Sequence, residues 1–485
     1  MDENVGKFID DFAALTHLAL AGQHGSSAGP QLLATLTEHL GVPAQDLPVV
    51  VEEISAHRFV DADIVLADTA AADPEHRLVG IGGGDRRHHS SLSDMLQQSQ
   101  LYGQFPLSQP DYSNLAVGPD TQRQAVALGV WLFTRSSIPM AVLQRQSNRQ
   151  YGRQNAALEV VCPDPGATAD FLAHVRRQLQ RNSVLKGQIV SLTVDQYGST
   201  GAGVTFHARP ELAASDVILP GDLLQKVTDH ALGMALHRDS LKALGQHLKR
   251  GILLYGPPGT GKTHTVRYLL SQGQGTTAIL LSGGSLAFVA EAARMARALQ
   301  PAVVVLEDCD LIAEDRSFGH GPQPLLFEVL DAMDGLDADA DVAFVLTTNR
   351  VDMLERALAQ RPGRVDLAVE IPLPAHPERV ALLNLYARKL DLSAEAIGEA
   401  AARTDGTTAS FARELVRRAV VAAALAGTEV RDEHLLNAVA ELMADGQTLT
   451  RSLLGSGSGS GTGSGSGSAA GFARVGTPPR SHPAP

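Results

Sequence analysis

Cysteine is nearly absent: Cys162 and Cys309, in 485 residues, cannot build a disulfide framework. Aromatic residues are scarce, at 4% with a single tryptophan, so the chain has few rings on which bases could stack. Long apolar runs are missing. The longest of note, Ala125 to Phe133, is too short to span a bilayer and is followed by Thr134-Arg135. The N-terminus, Met1-Asp2-Glu3-Asn4, lacks the basic stretch and apolar core of a secretory signal. Positive charge is in deficit. With 40 Lys and Arg against 53 Asp and Glu, the net charge is −13, which counts against the basic face of a folded nucleic-acid binder. These absences point to a soluble cytoplasmic protein with no membrane span, and they weigh against a nucleic-acid partner without excluding a local basic patch. What is present is 44% apolar and 19% charged, enough for two or three domains with their own cores.

The most informative stretch is Gly256-Pro257-Pro258-Gly259-Thr260-Gly261-Lys262-Thr263. It follows an apolar run, Ile252 to Tyr255, and leads into a helical pattern from Thr263 to Leu270. Strand, glycine loop, helix is the order a phosphate cradle needs. Glycines let backbone N–H groups turn inward around phosphate oxygens, and the new helix adds its positive end. Lys262 has the reach for the β- and γ-phosphates of ATP, and the Thr263 hydroxyl for Mg²⁺.

Further along, the continuous apolar run Val303 to Leu306 reads as a buried parallel strand. It ends in Glu307-Asp308-Cys309-Asp310. Carboxylates at that end of a doubly wound sheet lie beside the phosphate loop. One, Glu307, would hold Mg²⁺ through water, and the next, Asp308, would polarise the attacking water. A second such strand, Val342 to Leu346, ends in Thr347-Thr348-Asn349-Arg350, where the Asn349 amide could orient that water. Arg361-Pro362-Gly363-Arg364 sets two arginines on a rigid turn, suited to stabilising charge on a neighbouring subunit's nucleotide.

Composition divides the rest. Residues 1–110 read as α+β, with helical spacing over Phe8 to Leu18 and Leu32 to Leu40, and strands at Val49 to Val51 and Ile64 to Leu66. Gly80 to Gly84 reads as a flexible turn, and His88-His89 as solvated surface. Residues 111–214 read as a second α+β domain suited to partner recognition. Its expected elements are a helix at Ala125 to Phe133, strands at Met140 to Leu143 and Leu158 to Val161, a helix at Ala167 to Arg181, and strands at Ile189 to Val194 and Gly203 to Phe206. Its many arginines read as a solvated face. Residues 215–374 hold a helical connector, with Asp222 starting a helix, and then the nucleotide-binding core. Residues 375–450 form a small helical unit. Residues 451–485, with Gly and Ser alternating from Gly455 to Ser468, form a disordered tail.

Over about residues 215–450 these elements together resemble the AAA ATPases (ATPases associated with diverse cellular activities). Besides the cradle, the likeness rests on Leu325-Leu326 and Met333-Asp334-Gly335-Leu336, and on the run from Thr348-Asn349-Arg350 through Arg361 to Asp366, closing in Glu370-Ile371-Pro372-Leu373-Pro374. Pro377 to Leu442 resembles the family's helical lid, with Gly406 to Leu415 as its turn and helix. The resemblance implies an α/β P-loop fold, a doubly wound parallel sheet with a C-terminal helical lid. It also implies ATP and Mg²⁺ as cofactors, and ATP hydrolysis in a hexameric ring. Lys262 and Thr263 would bind phosphate and Mg²⁺. Glu307 and Asp308 would form the Walker B pair, Asn349 would be sensor 1, and either Arg361 or Arg364 the arginine finger.

The sequence departs from the family in four places. The carboxylate pair runs Glu then Asp, where the family has Asp then Glu. The segment Ser282 to Val289 lacks the aromatic pore loop of members that thread polypeptides, and Phe288 reads as a core residue. The stretch before Arg361 is one residue longer than usual. No clear sensor 2 arginine is present, Arg413 being one candidate. Two functions lead: remodelling of a protein partner held by the N-terminal region, or nucleotide-switched assembly of a scaffold with slow turnover. A nucleic-acid loader or helicase-type ATPase, drawing on the N-terminal arginines, is a third that the acidic charge and few aromatics disfavour.

Overall fold

The computed structural model describes residues 31–148, 151–153, 155–194, 202–310, 331–332, 339–351 and 364–444. The expected helix at Phe8 to Leu18, the segments Leu325-Leu326 and Met333 to Leu336, Arg361 with its Pro-Gly turn, and the tail fall outside them.

The first unit is built on an antiparallel sheet of β1 (Val49–Ile54), β2 (Arg77–Ile81), β3 (Leu107–Ser108), β4 (Asp111–Ala116), β5 (Gln122–Arg135), β6 (Ile138–Arg145) and β7 (Ala156–Val161). Its order is β1-β7-β6-β5-β2-β3, with β4 also on β5. Helices α1 (Leu32–Leu40) and α3 (Leu92–Tyr102) cover one face, and α2 (Phe59–Ala71) and α4 (Pro165–Arg181) the other.

Being covered on both faces explains two differences from the sequence expectation. Ala125 to Phe133 lies in β5, not in a helix. Ala125, Val126, Trp131 and Phe133 join the core under α2 and α4, while Leu128, Val130 and Leu132 join the core under α1 and α3. With both faces buried, no polar alternation marks the strand. Conversely, Ile64 to Leu66 lies in α2, whose buried positions Phe59, Ala62, Val65, Leu66 and Ala70 pack on that sheet. The boundary expected at 110–111 also falls inside this sheet. β2 pairs with β5 across it, Leu78 opposite Trp131, so residues 32–181 make one layered unit.

The second sheet has the order β14-β10-β13-β12-β11-β8-β9. Its strands are β8 (Ile189–Val194), β9 (Ala202–His207), β10 (Arg250–Tyr255), β11 (Thr277–Ser282), β12 (Ala302–Glu307), β13 (Val342–Thr348) and β14 (Leu367–Glu370). All neighbours are parallel except β8 and β9. The boundary expected at 214–215 is thus displaced, because β8 adds to β11 in register, Ile279 opposite Val190. Connector helix α5 (Leu223–Thr228) begins just after Asp222, which makes no side-chain capping bond. Helices α6 (Lys262–Gln272) and α7 (Val289–Ala298) cover opposite faces. Phe288 packs against the core on the α7 side. Four helices, α8 (His376–Ala387), α9 (Ala394–Arg403), α10 (Ala409–Ala426) and α11 (Asp432–Met443), close around their own core of Leu383, Phe411, Leu415 and Leu435.

Gly80 has a packing reason: a Cβ there would lie 2.0 Å from the Gln109 carbonyl oxygen. His88 stacks on Tyr151, their centroids 5.1 Å apart. Among the described residues, no helix is long and apolar enough to cross a membrane.

Candidate active site

β10 delivers the chain to Gly256, and α6 carries it away. Between them Gly256, Gly259 and Gly261 take φ of 141°, 79° and 111°, values that side chains with a Cβ resist. At Gly256 a Cβ would also fall 2.2 Å from the Ile371 carbonyl oxygen, so the segment after β14 closes on the loop. Thr260 Oγ1 donates to the Pro257 carbonyl at 2.9 Å. The loop ends on the N-terminus of α6, whose first N–H groups have no carbonyl partner within the helix.

Lys262 is 6% exposed. Its Nζ donates to the carbonyls of Gly256 and Pro257, at 2.9 and 2.8 Å. Burial holds the ammonium below the ordinary lysine pKa, against the pull of Asp308 and Asp310. A desolvated cation held by neutral carbonyls gains strongly from an arriving anion.

At the end of β12, burial pushes the Glu307 carboxyl above the usual carboxylate range. A hydrogen bond with the Thr263 side chain works against that rise, and Asp308 adds to it. Asp308 takes φ 52°, a left-handed conformation costing a non-glycine residue on the order of 1 kcal/mol. Two bonds hold it there: Asp308 N donates to Thr347 Oγ1 at 3.0 Å, and Cys309 N to the Thr347 carbonyl at 2.9 Å.

Asp310, to which the sequence reading gave no role, joins the ends of β12 and β13. It accepts from Thr348 Oγ1 and Asn349 N, both at 3.2 Å, and from Asn349 Nδ2 at 3.5 Å. One amide hydrogen of Asn349 is thereby directed at Asp310. The signal available in the sequence was a third carboxylate at the end of the same strand.

The loop, Asp308 and Asn349 line a cavity of 440 Å³, within the range of small-molecule sites. One wall is the loop from Pro258 to Thr263 with Asp308 and Asn349. A second is Asp216 to Leu219 of the connector, where the Asp216 carbonyl meets His264 Nε2 at 3.0 Å. The third comes from the C-terminal helices and carries Tyr386, Ser410 and Arg413. Ser410 bonds the Gly259 carbonyl through its N and Oγ, at 3.1 and 3.3 Å. Behind Thr263, Arg267 and Glu307 lies another cavity of 300 Å³, walled by Ile189, His207 and Pro210. Residues before 215 therefore reach the site.

The expected residues divide by position. Pro258 to Thr263, Asp308 and Asn349 line the cavity. Gly256 and Pro257 shape the loop and receive Lys262, and Glu307 faces Thr263. Arg364 is not brought to the cradle. Two residues on, Asp366 pairs with Gly251 at the start of β10, on the order of 15 Å down the strand from the loop. Among the described residues, no group of three or more His, Cys, Asp or Glu could hold a metal by itself. The oxygen pair of Thr263 and Glu307, beside a phosphate cradle, fits an Mg²⁺ ion that takes its other ligands from phosphate and water.

Residues 252–373 match the family model described as ATPase family associated with various cellular activities (AAA). Three curated proteins are similar. The 26S protease regulatory subunit 6A of Caenorhabditis elegans is 27% identical over 265 residues, which is 51% of this chain and 61% of that protein. The 26S proteasome regulatory subunit 8 of the same organism is 35% identical over 32% of this chain and 40% of its own length. The proteasome-activating nucleotidase of Methanoculleus marisnigri is 34% identical over 40% of this chain and 51% of its own length. The chain thus spans about half the length of the curated relatives it matches.

Proposed function

The chain carries a domain of the AAA family at residues 252–373, and from that premise we propose that it hydrolyses ATP to act on a protein partner, assembled as a ring. The observation that supports this most is the single 440 Å³ cavity shared by the glycine loop, Asp308, Asn349 and the C-terminal helices. Loop N–H groups and Lys262 would take the β- and γ-phosphates. The connector wall at Asp216 to Leu219 would take the base. Asp308 would accept a proton from the attacking water, which Asn349 orients. Bound Mg²⁺ at Thr263 and Glu307 would neutralise charge on the transferring phosphoryl group. Arg413 would sense the nucleotide from the helical side, and Arg361 or Arg364 would act on a neighbouring copy. That the relatives are named as proteasome regulatory subunits and a proteasome-activating nucleotidase supports a polypeptide as the partner.

A second reading, a nucleotide-switched scaffold, is favoured by the left-handed Asp308 and its short side chain in the place of the family's glutamate. A misplaced base costs rate without costing binding. Steady-state ATPase and light-scattering mass, measured with and without ATP-Mg²⁺, separate the two. Remodelling predicts turnover in an ATP-assembled ring, lost in Asp308→Asn with ATP binding retained. Assembly with negligible turnover in both proteins supports the scaffold. Turnover surviving Asp308→Asn but abolished by Glu307→Gln would reverse the two carboxylate roles.

A further inference from the structure

A larger cavity, 820 Å³, lies between α2 and α4 and shares no lining residue with the nucleotide cavity. Its floor is apolar, with Ile64 and Val65 from α2 and Val184 from the segment after α4. Its rim is basic, with Arg135 from the β5–β6 hairpin, Arg181 at the end of α4, and Lys186 before β8. Two acidic residues line it, Asp61 and Asp68. Asp61 is already engaged by Arg58 Nε at 2.8 Å, Ser183 Oγ at 2.7 Å and Val184 N at 2.8 Å. That leaves Asp68 against three basic heads. The pKa of His174, also in the lining, is lowered by burial and then by Arg135 and Arg177, which marks a positive local field.

In a chain of net charge −13, a concave basic site is a local exception, and concave low-dielectric walls strengthen its pull on anions. No Phe, Tyr or Trp lines it, and the lone His174 ring is a poor platform for successive nucleic-acid bases. An apolar floor inside a basic rim instead complements a peptide with an apolar side chain between carboxylates.

We propose that this cavity binds an acidic, partly apolar peptide segment of a protein partner. The apolar residue would sit between α2 and α4, and the carboxylates would pair with Arg135, Arg181 and Lys186. This deepens the partner half of the proposed function and rests on that reading. The place matters because the linker to the nucleotide-binding unit runs through it. Asp61 grips Ser183 and Val184, Leu185 enters the core beneath α7, and Gly187 N donates to Thr277 Oγ1 at 2.9 Å at the start of β11.

The test is fluorescence anisotropy with the full chain and a labelled peptide of roughly twelve residues, Glu and Leu alternating. The same peptide with Lys for Glu and a single-stranded DNA oligonucleotide serve as controls. The acidic peptide is expected to bind, and to weaken with added salt. The double reversal Arg135→Glu, Lys186→Glu should weaken binding by about tenfold or more, and the milder Arg181→Ala by several-fold. Both variants should keep the wild-type melting temperature and ATP affinity. Absent binding, equal binding of the Lys peptide, or full binding by a folded reversal variant would overturn the proposal. Preference for DNA would overturn it in favour of nucleic acid. Binding is read without hydrolysis, so an inactive ATPase site would leave this result standing, and the two readings fail separately.

Discussion

Asn349 can serve water only if its amide faces the right way, and Asp310 decides that orientation. With one N–H directed at Asp310, the other N–H and the carbonyl oxygen remain for the cavity. Asp310→Asn removes the constraint, since an amide partner both donates and accepts. The expected result is a fall in kcat of about tenfold with KM for ATP nearly unchanged. Asp310→Asn combined with Asn349→Ala should cost little more than Asn349→Ala alone. Equal losses in KM and kcat would mark Asp310 as structural only. Glu307 sets a pH limit. Burial raises its pKa above the usual 4.5, so it protonates earlier as pH falls. Because its proposed role needs the carboxylate, the acid limb of the kcat/KM profile, which reports the free enzyme, should lie above pH 4.5, read by steady-state rates. The phosphate cradle was readable because its residues are contiguous. Asp310 was not, because what defines it is contact with Asn349, thirty-nine residues away.

At the scale of elements, apolar runs located β10, β12 and β13, where a doubly wound sheet buries both faces. Both faces of β5 are buried as well, so its apolar run carried no alternation and read as a helix. A short apolar run also hid α2, because three residues cannot distinguish a strand from the buried turn of a helix. One element junction lacked any signal. Arg250 opens β10 and is 3% exposed. It bonds Asp341 Oδ1 at 2.8 Å and, through Nε and Nη2, the Ala231 carbonyl at 3.0 and 2.8 Å. It thereby ties the connector to the start of β10 and β13. Asp341→Ala leaves that guanidinium buried without its carboxylate, and should destabilise the fold by about 3–5 kcal/mol in urea unfolding. A loss under about 0.5 kcal/mol, as at an ordinary surface site, would show that the pair does not hold the junction.

For the whole molecule, the decisive element is the hairpin β8–β9, which precedes the nucleotide-binding core in sequence yet completes its sheet. Val190 and Leu192 share a core with Ile279 and Leu281. A fragment beginning at residue 215 would expose that core and the open edge of β11, and should aggregate. One beginning at residue 183 should stay monodisperse in light scattering without nucleotide. Equal behaviour of the two would mean the hairpin is dispensable to the sheet. By itself the sequence determined the glycine loop, the positions of the core strands along the chain and the carboxylates that end them, because each is local: a few adjacent residues carry the pattern. Only the tertiary structure decided that residues 32–181 form one unit, that the sheet begins at β8, that Asp310 meets Asn349, and that Arg413 comes to the cavity. It also set a basic cavity on the linker between the units. Those features are pairings between residues distant along the chain, made by backbone hydrogen bonds and packing that leave no mark in either partner alone.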